Sequence, residues 1–172
     1  MFEVMVKAAA ELSPVESAQV EEVGGLAFSG DSMEDLGWSR AEWFVLGKLD
    51  GRVVSQAGIL KRGILTGGQP VMVGGVGGVA THPDFQRQGY AGEVMKAAGI
   101  FMREKLGAAF GLLVCSEKRV PYYAKFGWQP MTAPMYFAFR GGKRRFHDPV
   151  MILPLLQNEW PQGDVDLQGG PW

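Results

Sequence analysis

Cysteine is nearly absent from this 172-residue chain. Cys115 stands alone, so no internal disulfide framework can staple the fold, and the expected setting is a reducing, cytoplasmic compartment. Long hydrophobic runs are missing too. The longest, Pro70 to Ala80, is interrupted by four glycines, which argues against a membrane-spanning helix. The opening residues carry Glu3 ahead of Lys7 without a long apolar core and do not read as a signal peptide. Charge of one sign is not in excess: 17 Lys and Arg face 18 Asp and Glu, and a net charge of −1 gives no argument for nucleic acid. What is present is ample core material, with 47% hydrophobic residues in a length that suits one domain with a modest tail. No internal repeat or low-complexity linker marks a second domain.

The near-zero charge is an average over unlike segments. Residues 1–36 hold eight acids and one base, net −7; residues 37–157 hold 16 bases and seven acids, net +9; residues 158–172 hold three acids and no base, net −3. Such a chain suits partners of both signs, and biased solvated faces account for it as well.

Phe2 to Lys7 alternates as an opening strand. Ser13-Pro14, with Glu16 at the capping-box position, starts a helix whose expected apolar face is Val15, Ala18, Val23, Leu26 and Ala27. Strands follow at Trp43 to Leu49 and Val53 to Lys61 around the hairpin signal Asp50-Gly51, and at Val71 to Thr81 after Gly67-Gly68. Arg87 to Lys105 predicts the clearest helix, with Tyr90, Ala91, Val94, Met95, Ala98, Phe101 and Met102 at three- and four-residue spacing. Ala108 to Cys115 reads as a buried strand. Ser116 to Phe126 reads as a short helix stopped by Gly127, with Ser116 as its cap or, because Pro121 sits too deep for that cap, with a start nearer Val120. Two strands, about Trp128–Arg140 and Phe146–Leu153, flank a basic turn, and the last residues form a tail. The class is an α/β mixed sheet.

Four glycines lie inside the strand Val71 to Thr81, at a cost in backbone entropy and packing. A period of two puts Val73, Gly75, Gly77, Val79 and Thr81 on one nearly bare face, which suits close approach of a ligand or another backbone; a bulge or tight sheet packing accounts for the same glycines. After His82-Pro83, the run Gln86-Arg87-Gln88-Gly89-Tyr90-Ala91 opens the long helix, so a glycine turn feeds a helix N-terminus, an arrangement that binds phosphate. It is neither a P-loop nor a dinucleotide GxGxxG pattern.

The stretch from Gly78 to Ala91 resembles the acetyl-CoA motif of the GCN5-related N-acetyltransferase (GNAT) family, Arg/Gln-x-x-Gly-x-Gly/Ala, through Gln86, Gly89 and Ala91. Pro121 to Trp128 is similar to the family's downstream aromatic-Tyr block, and the resemblance covers roughly residues 1–155. It implies a GNAT-type mixed, mostly antiparallel sheet flanked by helices and splayed at the strand carrying the motif. It also implies a domain at 1–155 and a tail at 156–172 that reaches the substrate site. In that scheme the backbone of Val79, Ala80 and Thr81 pairs with the pantetheine arm. The loop Gln86, Arg87, Gln88, Gly89, Tyr90 and Ala91 holds the pyrophosphate, with Arg87 adding charge.

The reaction implied is direct attack of a neutral primary amine on the acetyl thioester, with acetyl-CoA as co-substrate and no metal. Tyr123 occupies the position of the acid that protonates the leaving thiolate, and Tyr122 serves packing. Many relatives carry a Glu on the preceding strand where this chain has Gly77, so the base is water, the backbone, or a carboxylate such as Asp31, Asp35 or Glu117. His82 is of the residue type suited to proton transfer, but the family residue at its position usually faces away from the chemistry. Cys115 reads as a small buried hydrophobe. Ser116 either touches ligand or caps the helix.

A looser similarity, to the aminoglycoside 2′-N-acetyltransferases, rests on Ala27-Phe28-Ser29-Gly30-Asp31, Gly58 to Arg62, Gly163-Asp164-Val165 and Trp172. It implies an acceptor site using Asp31, Asp35, Asp164, Asp166, Ser116 and the carboxylate of Trp172 for a small cationic amine. A peptide amine acceptor and a non-catalytic acetyl-CoA-binding module are the alternatives. A homodimer is compatible with the resemblance; membrane and nucleic-acid partners are not expected.

Overall fold

The structure is a computed structural model that describes residues 1–30 and 34–172, so Asp31 lies outside the described residues. In chain order the elements are β1 (Phe2–Ala8), α1 (Pro14–Ala27), β2 (Trp43–Leu49), β3 (Arg52–Thr66), β4 (Gln69–Thr81), α2 (Tyr90–Glu104), β5 (Phe110–Val114), α3 (Val120–Ala124), β6 (Gln129–Met131), β7 (Met135–Phe139), β8 (Gly142–Phe146), β9 (Val150–Pro154) and β10 (Val165–Asp166). They form one sheet in the order β6-β9-β5-β4-β3-β10-β7-β8, with β2 also on β3 and β1 on β2. Pairing is antiparallel except for β4 with β5 and β10 with β7. This is the expected mixed, mostly antiparallel sheet flanked by helices. No helix among the described residues is long and apolar enough to cross a membrane.

Side chains alternate across β3 and β4 and divide the core in two. Ala57, Ile59 and Val76 join Val94, Met95, Ala98 and Met102 of α2. Leu60, Ile64 and Val73 join Phe137, Leu167 and Trp172 on the opposite face.

Helix α1 starts as its sequence predicts. Ser13 Oγ accepts from the Glu16 N–H at 3.2 Å, and the Glu16 carboxylate accepts from the Ser13 N–H at 2.8 Å. Its buried face differs from the expected one: Glu16, Val20 and Val23 face inward, while Val15 and Leu26 are exposed. The cause is Glu16, which reaches Lys7 on β1 at 2.8 Å and Lys48 on β2 at 2.6 Å. That anchor turns the helix until Val20 meets Leu46 and Val53.

Three further expectations change. Helix α2 begins at Tyr90 rather than Arg87, because Arg87 and Gly89 hold φ of 62° and 85°, outside the helical region. The strand expected over Trp128–Arg140 breaks at Pro134 into β6 and β7. The basic turn narrows to Arg140-Gly141, and Lys143, Arg144 and Arg145 belong to β8.

Ion pairs bridge the oppositely charged segments: Glu22 with Arg52, Glu34 with Arg144, and Asp166 with Lys143. Part of the segmental asymmetry therefore cancels within the fold.

Candidate active site

Strand β4 pairs with β3 along nearly its full length, from Thr66↔Gln69 to Ser55↔Thr81. Its other edge pairs with β5 only from Val73↔Phe110 to Val76↔Leu113. Past that rung β5 ends at Val114, and the edge of Gly77 to Thr81 has no strand partner among the described residues. The two strands fork. An unpaired strand edge inside a protein presents N–H and C=O groups that an extended amide-bearing ligand can satisfy.

A bulge shapes the upper arm of the fork. The register steps from Gly58↔Gly77 to Gln56↔Ala80, leaving one extra residue in β4, and Gly78 takes φ of 59°. Alternation therefore inverts there. Gly75 and Gly77 share the face away from α2, whereas Val79 packs with the α2 cluster and Thr81 bonds Ser55 Oγ at 2.8 Å. The expectation that Val79 and Thr81 share a face with Gly75 and Gly77 is corrected by this bulge.

Beyond the fork, Gln86 to Ala91 wraps into α2. Gln86 Nε2 donates to the Thr81 carbonyl at 3.2 Å, and Tyr90 Oη donates to Gln88 Oε1 at 3.1 Å. The Tyr90 ring stacks on Phe2 with centroids 4.2 Å apart. Gly89 caps the helix in the left-handed region, and Arg87 adopts that region despite its Cβ, a conformation that costs about 1–2 kcal/mol. The N–H groups of Arg87 to Ala91 donate to no acceptor among the described residues. Together with the positive end of a 15-residue helix they make a cradle that suits an anion such as a diphosphate. The cradle and the open β4 edge suit the two ends of a pantetheine diphosphate, so these residues fit acetyl-CoA.

Tyr123 lies under the fork. It shares a cluster with Val76 and Leu113, the last rung, and its ring meets Tyr122 and Trp128 edge-on. Burial pushes its phenol up to about 12, with Cys115 and Tyr122 adding to the effect. A phenol so perturbed stays protonated at neutral pH, which suits a proton donor and not a base. Its hydroxyl makes no hydrogen bond to the described residues and is not among the sealed, unpartnered polar atoms. Half-buried Tyr122 is pushed up by burial as well, and it packs on Phe126.

Cys115 follows β5. Burial raises its thiol, and the carboxylates of Glu117 and Asp148 raise it further. Those two carboxylates lie at the mouth beyond β5, where the opposite charge of Arg119 also acts on Tyr122 and Tyr123; Glu117 was legible as a candidate in the sequence, whereas Asp148 arrives from the distant β8–β9 turn. Ser116 is exposed there and its hydroxyl caps nothing. His82 Nδ1 accepts from the Asp84 N–H at 3.3 Å, and Nε2 stands 3.9 Å from Glu22, so neither nitrogen is directed by these contacts to the fork.

The last residues fold back over the sheet. Trp172 is buried, and its Nε1 donates to the Leu112 carbonyl at 3.0 Å. A Cβ on Gly75 would meet the indole at 2.2 Å, and one on Gly77 would meet the Trp172 carbonyl carbon at 3.0 Å. The bare strip read in the sequence is thus the seat of Trp172 on the face away from α2. Asp35 accepts from the Gly37 N–H at 3.0 Å within its own loop. Asp164 and Asp166 do not join the fork. Val165 pairs with Thr66, eight residues along β3 from Gly58, which is roughly 26 Å of strand. Burial works to raise the Asp166 carboxyl, but Lys143 and the Gln168 N–H outweigh it and hold it low. Among the described residues no cluster of three or more His, Cys, Asp or Glu is placed to hold a metal ion.

A family model described as an acetyltransferase (GNAT) domain matches residues 26–131. No curated protein matches the sequence significantly. Among solved structures, the GNAT family N-acetyltransferase YhbS from Escherichia coli, in complex with CoA, is similar at 14% identity and a TM-score of 0.66, over 98% of this chain and 91% of that one. A GNAT family acetyltransferase from Brucella melitensis, in complex with acetyl-CoA, is similar at 19% identity and a TM-score of 0.62, over 95% and 94% of the two chains. Escherichia coli ElaA is similar at 16% identity and a TM-score of 0.62, over 89% and 99%. At such identities the likeness is one of fold.

Proposed function

The chain belongs to the GNAT acetyltransferase family, and we propose that it transfers the acetyl group of acetyl-CoA to the primary amine of a small cationic molecule. The observation that carries this reading is an open strand edge that leaves a fork and leads to an unsatisfied helix N-terminus, with the buried Tyr123 packed against the last rung of that fork. Acetyl-CoA supplies the activated acetyl thioester. The chain's own residues do the rest. The N–H groups of Arg87 to Ala91 neutralise the diphosphate, with the exposed Arg87 side chain adding charge. The backbone of Val79, Ala80 and Thr81 aligns the pantetheine amides, and the bulge at Gly78 turns that edge toward the fork. Tyr123, held protonated by burial, delivers its proton to the departing sulfur.

The acceptor amine must be neutral to attack, and its proton has to leave. Position 77 carries no carboxylate, and the main-chain oxygen of Trp172 lies where such a side chain would project. That oxygen orients the amine or a water beside it, and solvent takes the proton. The mouth carboxylates Glu117 and Asp148 attract a cationic molecule, while Ser116, Trp172 and the loop bearing Asp35 form the acceptor side. The test is release of free thiol from acetyl-CoA in the presence of tobramycin, spermidine, tyramine or an unblocked tripeptide. Turnover is expected with the polycationic amines first. Acetyl-CoA binding without turnover on any amine would leave a binding module instead.

A further inference from the structure

Arg62 stands mid-strand on β3, on the face away from α2, and burial holds its guanidinium below the usual value. Among the described residues it forms no ion pair; its donors go to neutral oxygens. Nη1 donates to the carbonyls of Leu167 at 3.3 Å and Gly170 at 2.7 Å, and Nη2 donates to Ser39 Oγ at 2.7 Å. The guanidinium lies over the Trp172 ring, 5.0 Å from its centroid. Ser39 completes the knot: its N–H donates to the Pro171 carbonyl at 2.7 Å and its hydroxyl donates to that of Gly170 at 3.1 Å. The fit is tight. A Cβ on Gly169 would stand 3.0 Å from Arg62 Nη1, and one on Gly170 would stand 2.1 Å from the Gly37 carbonyl oxygen.

Three segments far apart in sequence therefore meet on one cation. Glu42 lies near enough to favour the charge without pairing with it. Half-burying a guanidinium whose donors meet only neutral oxygens is still costly, and an apolar side chain would fill the same volume more cheaply. A guanidinium adds what an apolar group lacks: a planar fork that fixes two acceptors in direction and distance while its face rests on an aromatic ring. Gly170, gripped by that fork, lies two residues from Trp172.

We propose that Arg62 is a positioning residue for the acceptor side of the transferase site: it locks residues 167–172 to the loop around Ser39 and thereby holds Trp172 on Gly75 and Gly77. This rests on the acetyl-transfer reading of the fork. Arg62 touches no reacting group and acts through Trp172. The diphosphate cradle is built from another segment, so the clamp governs the amine and not acetyl-CoA.

The experiment compares the full chain with Arg62→Met and Arg62→Lys, using spermidine and tobramycin as acceptors at a temperature where all three are folded. Acetyl-CoA affinity is measured by calorimetry, and amide exchange is followed at Ser39 and across 167–172. Arg62→Met is expected to raise the acceptor KM about tenfold while KM for acetyl-CoA stays within about twofold. Exchange at Ser39 and in the tail rises by about tenfold or more in the same variant. Arg62→Lys, which keeps a cation over the indole but loses the fork, recovers part of the acceptor KM. Unchanged exchange in Arg62→Met would overturn the clamp, and an acceptor KM that does not move while the tail loosens would overturn its role in the site. A parallel rise in both KM values would do so too. If the unmodified chain acetylates neither amine, the transfer reading fails, and the exchange measurement alone decides whether Arg62 holds the tail.

Discussion

A Cβ on Gly77 would stand 3.0 Å from the main-chain carbonyl carbon of Trp172, so the tail occupies the space into which a side chain at position 77 would grow. The missing carboxylate and the docked tail are two aspects of one arrangement. Gly77→Glu therefore does not supply a base; it drives Trp172 from its seat. Gly75→Ala does the same more severely, since its Cβ would lie 2.2 Å from the indole. Each substitution is expected to cost about 1–3 kcal/mol by overpacking, read as a lower Tm with red-shifted indole emission. Acceptor turnover falls with it. A Gly77→Glu variant with higher kcat than the parent would show that Trp172 and the carboxylate coexist.

In the proposed mechanism Tyr123→Phe removes the proton donor while keeping the ring that packs on Trp128. Its kcat is expected to fall about 10²–10⁴-fold with acetyl-CoA affinity unchanged. Because burial holds the phenol near 12, its ionisation lies above the working range, and kcat/KM should climb with pH as the amine deprotonates and then stay level. An alkaline fall below pH of about 10 that vanishes in Tyr123→Phe would show that the phenol titrates far lower than its surroundings dictate.

Arg87 holds φ of 62° beside Gly89 at 85°, and both shape the cradle. Arg87→Gly relieves about 1–2 kcal/mol of left-handed strain and gives the unfolded chain freedom that costs about 0.4–1 kcal/mol, so stability is expected to hold or rise slightly. Acetyl-CoA affinity nevertheless weakens, and its dependence on salt flattens, because a charge near the diphosphate is gone. Gly89→Val acts through the backbone instead: it strains the cap and lowers both stability and affinity. Equal losses of stability in both variants would contradict this division.

Glu16 is held at about 2 by Lys48 first, then by Lys7 and the Ser13 N–H. A carboxyl depressed in the folded state contributes stability that is complete above its ordinary value near 4.5 and is lost as pH falls toward 2. Glu16→Gln is expected to be less stable at pH 7 and to show a flatter decline over that window in urea unfolding. Parallel stability curves for the two proteins would rule out Glu16 as the source of the acid sensitivity.

The turn into α2, the start of α1 and the place of Tyr123 were legible in the sequence because each is local. Gln86 to Ala91 is one contiguous loop, the capping box of Ser13 and Glu16 spans one helical turn, and Tyr123 sits in a contiguous aromatic block. The four glycines of β4 pointed to a bulge or tight packing, and a bulge stands at Gly78; its exact place was not legible, since one inserted residue inverts which side chains share a face without altering composition. The face of α1 was misread for a different reason: an ion pair to Lys7 and Lys48 on two other elements outweighed apolar periodicity. The docking of the tail depends on contacts spanning the chain, such as Arg62 with Gly170 and Ser39 with Pro171, and no local pattern announces them. The glycines at 75 and 77 gave the one hint that something had to lie close.

Release of CoA thiol from acetyl-CoA across the amine panel, run with the parent chain and Tyr123→Phe side by side, bears most directly on what the fork does. The expected result is stoichiometric thiol release and amine acetylation with a cationic primary amine, reduced about 10²-fold or more in Tyr123→Phe at undiminished acetyl-CoA binding. Tight acetyl-CoA binding with no amine-dependent thiol release, or equal rates in the two proteins, would contradict it.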